Sequence, residues 1–364
     1  MKILSVEAKA FKVKLSTNFT GSNYTYTHKK CVFAQAKTDQ GIEGFCYLGD
    51  DFGLGRKIAK MINEDFSKIL IGRDPAHVEI LWDEMRPMAR NILGDRRIAL
   101  HAQALSDILC WDLYAKSENK SMITLLGKKR TSASIIAIAG YYGPHKSLID
   151  LAKETKNLIE IGCKGMKLKV GGLSVSEDFR RVKTVREAGG KDFLLAVDAN
   201  QAWALDEALE FARACEHLDL LWIEEPVHWD NDIADLSKFR KMTDIPVCAG
   251  QSEVTLAGVA RLIDSEAIDI CNLHPGYAGG ITPWLRSADL ARENGLRVAN
   301  TGEPQLSASL MLACEHGMSL EMYHPSRDPL FPKFCPAYRE RINGEIKPTN
   351  LNGWGILPEQ NELN

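Results

Sequence analysis

From about residue 133 the chain repeats one phrase eight times, a short apolar run followed by an amphipathic helical segment. The runs are SIIAIAG (134–140), MKLKV (166–170), FLLAVDA (193–199), LLWIEE (220–225), IPVCAG (245–250), IDICNL (268–273), RVAN (297–300) and MSLEMY (318–323). They recur every 21 to 32 residues. Between them lie segments with periodic apolar faces, such as SLIDLAKETKNLIEIG and SEDFRRVKTVREAGG. In the second, Ser176 suits the N-cap and Gly189 the close. Eight strand–helix units at this spacing predict a (β/α)8-type barrel. A doubly wound sheet shares the rhythm, but no GxGxxG follows the first strand.

The first 127 residues read differently. Alternating runs ILSVEAKAFKVKL, KCVFAQAKT and GIEGFCYLG come first, and KTDQGIEG between the last two is a hairpin signal. Helical patterns follow, including HVEILWDEMRPMARNIL and RRIALHAQALSDILCWDLYAKSENK. Strands first and helices after predict a separate α+β unit, so the fold class is α/β with an added N-terminal domain.

Composition removes several function classes. The formal net charge is −3 with both signs interspersed, which argues against nucleic-acid binding. No apolar run approaches the ~18 residues of a membrane span. The segment MKILSVEAKAFKVKL lacks the apolar centre and cleavage site of a signal peptide. Nine cysteines are scattered without a CxxC pair, which predicts reduced thiols and a cytoplasmic location, and no zinc site.

In such a barrel the chemistry sits at the C-terminal ends of the strands. The second strand ends in Lys167-Leu168-Lys169, the third in Asp198-Ala199-Asn200, the fourth in Glu224-Glu225-Pro226 and the fifth in Gly250-Gln251-Ser252-Glu253. Asn272 and His274 end the sixth, Asn300-Thr301-Gly302-Glu303 the seventh, and Glu321, Tyr323 and His324 the eighth. Residues two apart share a face, so both lysines point inward and need acidic partners or an anionic substrate. Asp198, Glu224 and an oxygen from the fifth strand suit Mg2+, a hard cation. A lysine whose pKa is lowered by a cationic neighbour can then take a proton α to a carboxylate, and Lys169, nearer the strand end, is the expected base. The bland readings are a solvated lysine edge and ordinary strand-exit turns.

These residues resemble the enolase superfamily in its mandelate-racemase-like branch. MKLKVGG, VDANQAW and WIEEP match its KxK, DxN and EEP signatures in order; ALSDILCWDLYAK, GGIT (279–282), DPLF, INGEIKP and GWGI follow its layout. The resemblance implies a capping domain (1–127), a barrel domain (128–329) and a tail from about 330 to 364 packing back on the cap. It also implies required Mg2+, specificity loops near 16–29 and 48–55, and a homo-oligomer, dimer or octamer. It implies Asp198 and Glu224 as metal ligands. The third is Gln251 by position, with Glu253 as rival.

Two positions depart from that pattern. Where the branch places an Asp at the end of strand six stands His274, and its strand-seven His falls near Thr301. A Glu that often follows is replaced by Gln305, with Glu303 close by. A two-base racemase needs a group on each face of the carbanion, and only the lysine face is provided. The expected reaction is therefore dehydration of a sugar acid to a 2-keto-3-deoxy acid with Lys169 as base and Lys167 beside it. Asn200, Tyr141, Thr301, Glu321 and Tyr24 are the expected substrate contacts. Tyr142, Tyr323 and His324 are further candidates. His274 is either an acid or a packed hydrogen-bonding group. An epimerase or lactone cycloisomerase, or a non-catalytic carbohydrate-acid binder, are the alternatives.

Overall fold

The computed structural model describes residues 1–50, 52–324, 326–336, 344–347 and 349–358. Residue 51 of the 48–55 loop, parts of INGEIKP and the last six residues lie outside them.

Three antiparallel strands open the chain: β1 (Ile3–Thr20), β2 (Thr25–Thr38) and β3 (Glu43–Gly49). The segment 16–29, where the resemblance implies a specificity loop, is mostly strand. Phe19 pairs with Tyr26 and Thr20 with Thr25, beyond a register shift that begins at Lys14. Threonine and aromatic residues suit a pleated surface, and the shift lets the hairpin bend away from its own sheet. The turn is closed by Gly21 N–H donating to Tyr24 O at 3.0 Å. A side chain at Gly21 would lie 2.2 Å from the Tyr24 ring.

Eight parallel strands follow, one within each apolar run: β4 (Ala133–Ala139), β5 (Gly165–Lys169), β6 (Leu194–Asp198), β7 (Ile223–Glu224), β8 (Val247–Ala249), β9 (Ile270–Leu273), β10 (Arg297–Asn300) and β11 (Leu320–Tyr323). Neighbours in sequence pair from β4 to β10, and β11 returns to pair with β4. The ring closes between β10 and the start of β11, where Met318 N–H donates to Val298 O at 2.8 Å. Inside, Ile136, Ala196, Trp222, Cys248, Ile270 and Ala299 pack as one apolar layer. They are the floor on which the polar strand ends stand.

The segment after β5 corrects one expectation. Its helix is Val175–Gly189, and the N-cap is Ser174, not Ser176. Ser174 donates through N–H and Oγ to Glu177, a capping box, and Gly190 takes the left-handed turn at the end.

The helix Arg96–Ser117 joins the two parts and is buried at 17 of its 22 residues. Asp107 accepts from Ile281 N at 2.6 Å, Thr282 N at 3.0 Å and Thr282 Oγ1 at 2.7 Å. Trp111 Nε1 donates to Thr282 Oγ1 at 3.0 Å. Gly280 has φ 125°, and a Cβ there would lie 2.2 Å from Asp107. The GGIT segment therefore needs its glycine both for conformation and for the closeness of that carboxylate. From the tail, Trp354 N donates to Asp112 and its indole to Ile108 O, while β12 (Glu345–Ile346) runs antiparallel to β4. All nine cysteines are free thiols. Among the described residues no helix is long and apolar enough to cross a membrane.

Candidate active site

The alternation of β5 sends Lys167 and Lys169 into the barrel mouth, 0% and 5% exposed. Lys167 Nζ lies 2.9 Å from both Glu224 oxygens, 2.7 Å from Glu321 and 3.7 Å from Asp198. Lys169 Nζ donates to Asp198 Oδ2 at 2.5 Å and Asn200 Oδ1 at 2.9 Å. The inward pair thus has its acidic partners. Asp198 and Glu224 lie opposite each other in register on β6 and β7, and Trp222 Nε1 donates to Glu224 at 3.2 Å from the floor.

This network reverses one expectation. Burial alone would pull Lys169 down, but Asp198, Tyr24 and Tyr141 outweigh it and hold the ammonium well above its usual range. Lys167 is likewise raised, because Glu224, Glu321 and Asp198 overcome its burial. Asp198 is held below the usual carboxylate range; burial opposes this, and Lys169 and Lys167 prevail. The expected lowering of Lys169 by Lys167 is outweighed by a carboxylate in direct contact.

Burial and the charge of Asp198 push Glu224 up. Three carboxylates (Asp198, Glu224 and Glu321) face two ammonium groups, leaving negative charge that a divalent cation would relieve. Among the described residues no three His, Cys, Asp or Glu side chains form a ready metal centre. Asp198 and Glu224 are carboxylate oxygen donors, and oxygen donors of this kind suit Mg2+. Just past β8 the Gln251 amide donates through Nε2 to Glu225 at 2.9 Å. Glu253 is the other oxygen donor past β8. Its carboxylate lies against Gly258 and 3.9 Å from Arg261, because the chain turns into the helix Leu256–Asp264 at that point.

The β1–β2 hairpin lies over this mouth. Tyr24 OH donates to Asn200 Oδ1 at 3.0 Å, and its ring lies 5.8 Å from Lys169 Nζ. Burial pushes the Tyr24 phenol up, so it stays a donor. Tyr141 is buried edge-on against Phe19, with ring centres 5.3 Å apart. A cavity of about 450 Å³ opens here, lined by Tyr24, Lys30, Asn200, Glu225, Gln251 and Tyr277 among others. Tyr142 serves the scaffold: its hydroxyl donates to Asp178 at 2.6 Å. Tyr323 packs beneath Lys29 and Arg327, and His324 Nδ1 accepts from Ser326 N.

The ends of β9 and β10 carry amides, a hydroxyl and an imidazole, with the Glu303 carboxylate just beyond. His274 Nδ1 accepts from Gly276 N at 3.1 Å, and its ring stacks on Tyr277 at 4.0 Å. An accepting Nδ1 carries no hydrogen, so the ring's N–H is at Nε2. Thr301 Oγ1 and both amide atoms of Asn272 are buried without hydrogen-bond partners. Glu303 ties the domains together, accepting from Gly49 N at 2.8 Å and Gln305 Nε2 at 2.6 Å. Beside it Lys29 pairs with Asp328 at 2.9 Å.

Sequence reasoning assigned no role to Glu225 or Asn272. Both sit at strand ends and Glu225 lines the cavity; the parity argument applied to Lys167 would have found Asn272, two residues beyond the floor residue Ile270.

Known proteins share this architecture. Residues 5–127 match the mandelate racemase / muconate lactonizing enzyme N-terminal domain, and residues 150–362 the enolase C-terminal domain-like family. An arabinonate dehydratase of Saccharolobus solfataricus is 29% identical over 89% of this chain and 87% of its own. An L-talarate/galactarate dehydratase of Salmonella typhimurium is 30% identical over 94% and 84%. Racemases, epimerases and cycloisomerases are also among the relatives. A mandelate racemase/muconate lactonizing enzyme from a marine actinobacterium, crystallised with magnesium, superposes with a TM-score of 0.93 at 33% identity, covering 100% of this chain and 98% of that one. The barrel, its antiparallel N-terminal domain and both family matches agree: the chain belongs to the mandelate racemase/muconate lactonizing enzyme family of the enolase superfamily.

Proposed function

We propose that this protein is a Mg2+-dependent dehydratase of sugar acids, with Lys169 as the base. The observation that carries the reading is the one-sidedness of the site. Lys169 stands at the mouth with Asp198 and Asn200, while the opposite side offers Asn272, Thr301 and a stacked His274.

Asp198, Glu224 and Gln251 would hold the cation, which when bound would supply positive charge to a substrate carboxylate. Lys169, in its neutral form, takes the proton from C2–H. Lys167, anchored by Glu224 and Glu321, faces the substrate carboxylate as a fixed positive charge. The proton gained by Lys169 can pass to the β-hydroxyl on the same face. The C3–O bond then breaks, water leaves, and the enol product tautomerises to the 2-keto-3-deoxy acid. The unpartnered amide of Asn272 and hydroxyl of Thr301 suit substrate hydroxyls, since buried polar groups seek partners. Tyr24 closes over Asn200 and keeps water away from Lys169.

The test is a panel of aldonates and aldarates with Mg2+ in D2O, followed by NMR and a 2-keto acid assay. Keto acid formed by wild type and lost in Lys169→Ala supports the reading. Exchange at C2 without keto acid makes the protein an isomerase. Neither exchange nor turnover across the panel makes it a binder.

A further inference from the structure

Glu225 is a second buried carboxylate beside Glu224, and its partners are of a different kind. Glu224 meets Lys167. Glu225, 5% exposed, accepts from Gln251 Nε2 at 2.9 Å through Oε2 and from Ser252 Oγ at 3.0 Å through Oε1. Its backbone is equally fixed. Glu225 N–H donates to Cys248 O at 2.9 Å, and its carbonyl accepts from Gln201 N at 2.7 Å. It holds φ at 40°, the left-handed region, which a side-chain-bearing residue occupies only under strain. A strained backbone and a buried carboxylate without a cationic partner are maintained together at the edge of the cavity.

We propose that Glu225 positions Gln251 as the oxygen ligand of the metal. A primary amide has one oxygen and one NH2 group, and the two exchange places by rotation about the last side-chain bond. With its NH2 committed to Glu225, the Gln251 oxygen is fixed on the other side of the amide, and Gln251 lines the cavity. A neutral ligand attracts Mg2+ less than a carboxylate does, so its orientation counts for more. Groups that hold a ligand in this way are worth about 10–100-fold in metal affinity. The role rests on the reading of Asp198, Glu224 and Gln251 as the cation site.

The test is calorimetric titration of Mg2+ into the metal-free wild type, Glu225→Gln, Gln251→Ala and the double variant, each first checked by thermal melting. Glu225→Gln is expected to weaken binding about 10–100-fold. Gln251→Ala weakens it comparably, and the double variant no further than Gln251→Ala alone, because an orienting group has nothing left to orient. Unchanged affinity in Glu225→Gln overturns the inference. So do additive losses in the double variant, which would mean that Glu225 acts only through its charge. A wild type that binds no Mg2+ overturns the metal reading and the inference together.

Discussion

The two sides of the barrel mouth are built from the same repeating unit and hold opposite chemistry. On β5 to β7, two lysines and three carboxylates, counting Glu321 from β11, interlock at distances down to 2.5 Å. On β9 and β10 stand amides, a hydroxyl and a stacked imidazole. The fold does not impose the difference, since both sides have buried strand ends at the same level. The side chains do. A barrel of this kind can confine proton transfer to one face of a substrate and leave the other for recognition.

The largest effect is expected on the charged side. Lys169→Met removes the base, and turnover on a sugar-acid substrate should fall by about 10²–10⁴-fold, the usual worth of a positioned general base. Solvent exchange at C2, followed by NMR, should fall with it. Loss of keto acid with exchange retained would put the base elsewhere.

Lys167 is the structural centre of the same side. Lys167→Met leaves Glu224, Glu321 and Asp198 facing one another without their shared cation. Removing one partner from such a buried group costs about 3–5 kcal/mol. Chemical denaturation without Mg2+ should show that loss. Stability close to wild type would mean that the carboxylates are neutral or wet.

How far this contrast was legible in the sequence depends on distance along the chain. Lys167 and Lys169 share a strand, so period two predicts their common face. The eight strands were legible from apolar runs, because each is short and buried. The hairpin over the mouth was not: the resemblance implies a loop there, and only the pairing beyond the register shift makes Thr20 and Thr25 strand partners. The raised Lys169 was missed because its contact with Asp198 depends on the register of β5 against β6. Glu225 was missed because its bond to Gln251 joins two strands through a left-handed backbone that no local signal announces.

Acidity separates the sides with opposite sign. Asp198 is held below its usual range by the lysines, so its contribution to stability is present above the ordinary carboxylate pKa and lost as pH falls through the depressed value. Asp107, in the joint with residues 281 and 282, is pushed up to about 7 by burial, against its hydrogen bonds. Its contribution is complete below about pH 4 and lost as pH rises through 7, at most roughly 4 kcal/mol. Melting temperature should therefore decline between about pH 4 and 7 and level off above, and Asp107→Asn should flatten that decline. An unchanged slope in the variant would assign the decline to other groups.

The smallest effect is expected at His274. In the structure it caps the short helix Pro275–Ala278 by accepting from Gly276 N, and it stacks on Tyr277. Asparagine is itself a good N-cap, and its side-chain oxygen can accept the same bond. What it loses is ring stacking, worth about 0.5–1.5 kcal/mol. His274→Asn should therefore melt slightly lower and turn over within a few-fold of wild type, with the alkaline and acidic limbs of its pH–rate profile unmoved. A hundredfold loss, or the disappearance of one limb, would place an acid on the side of β9 and β10. The contrast between the two faces would then be one of charge alone and no longer one of chemistry.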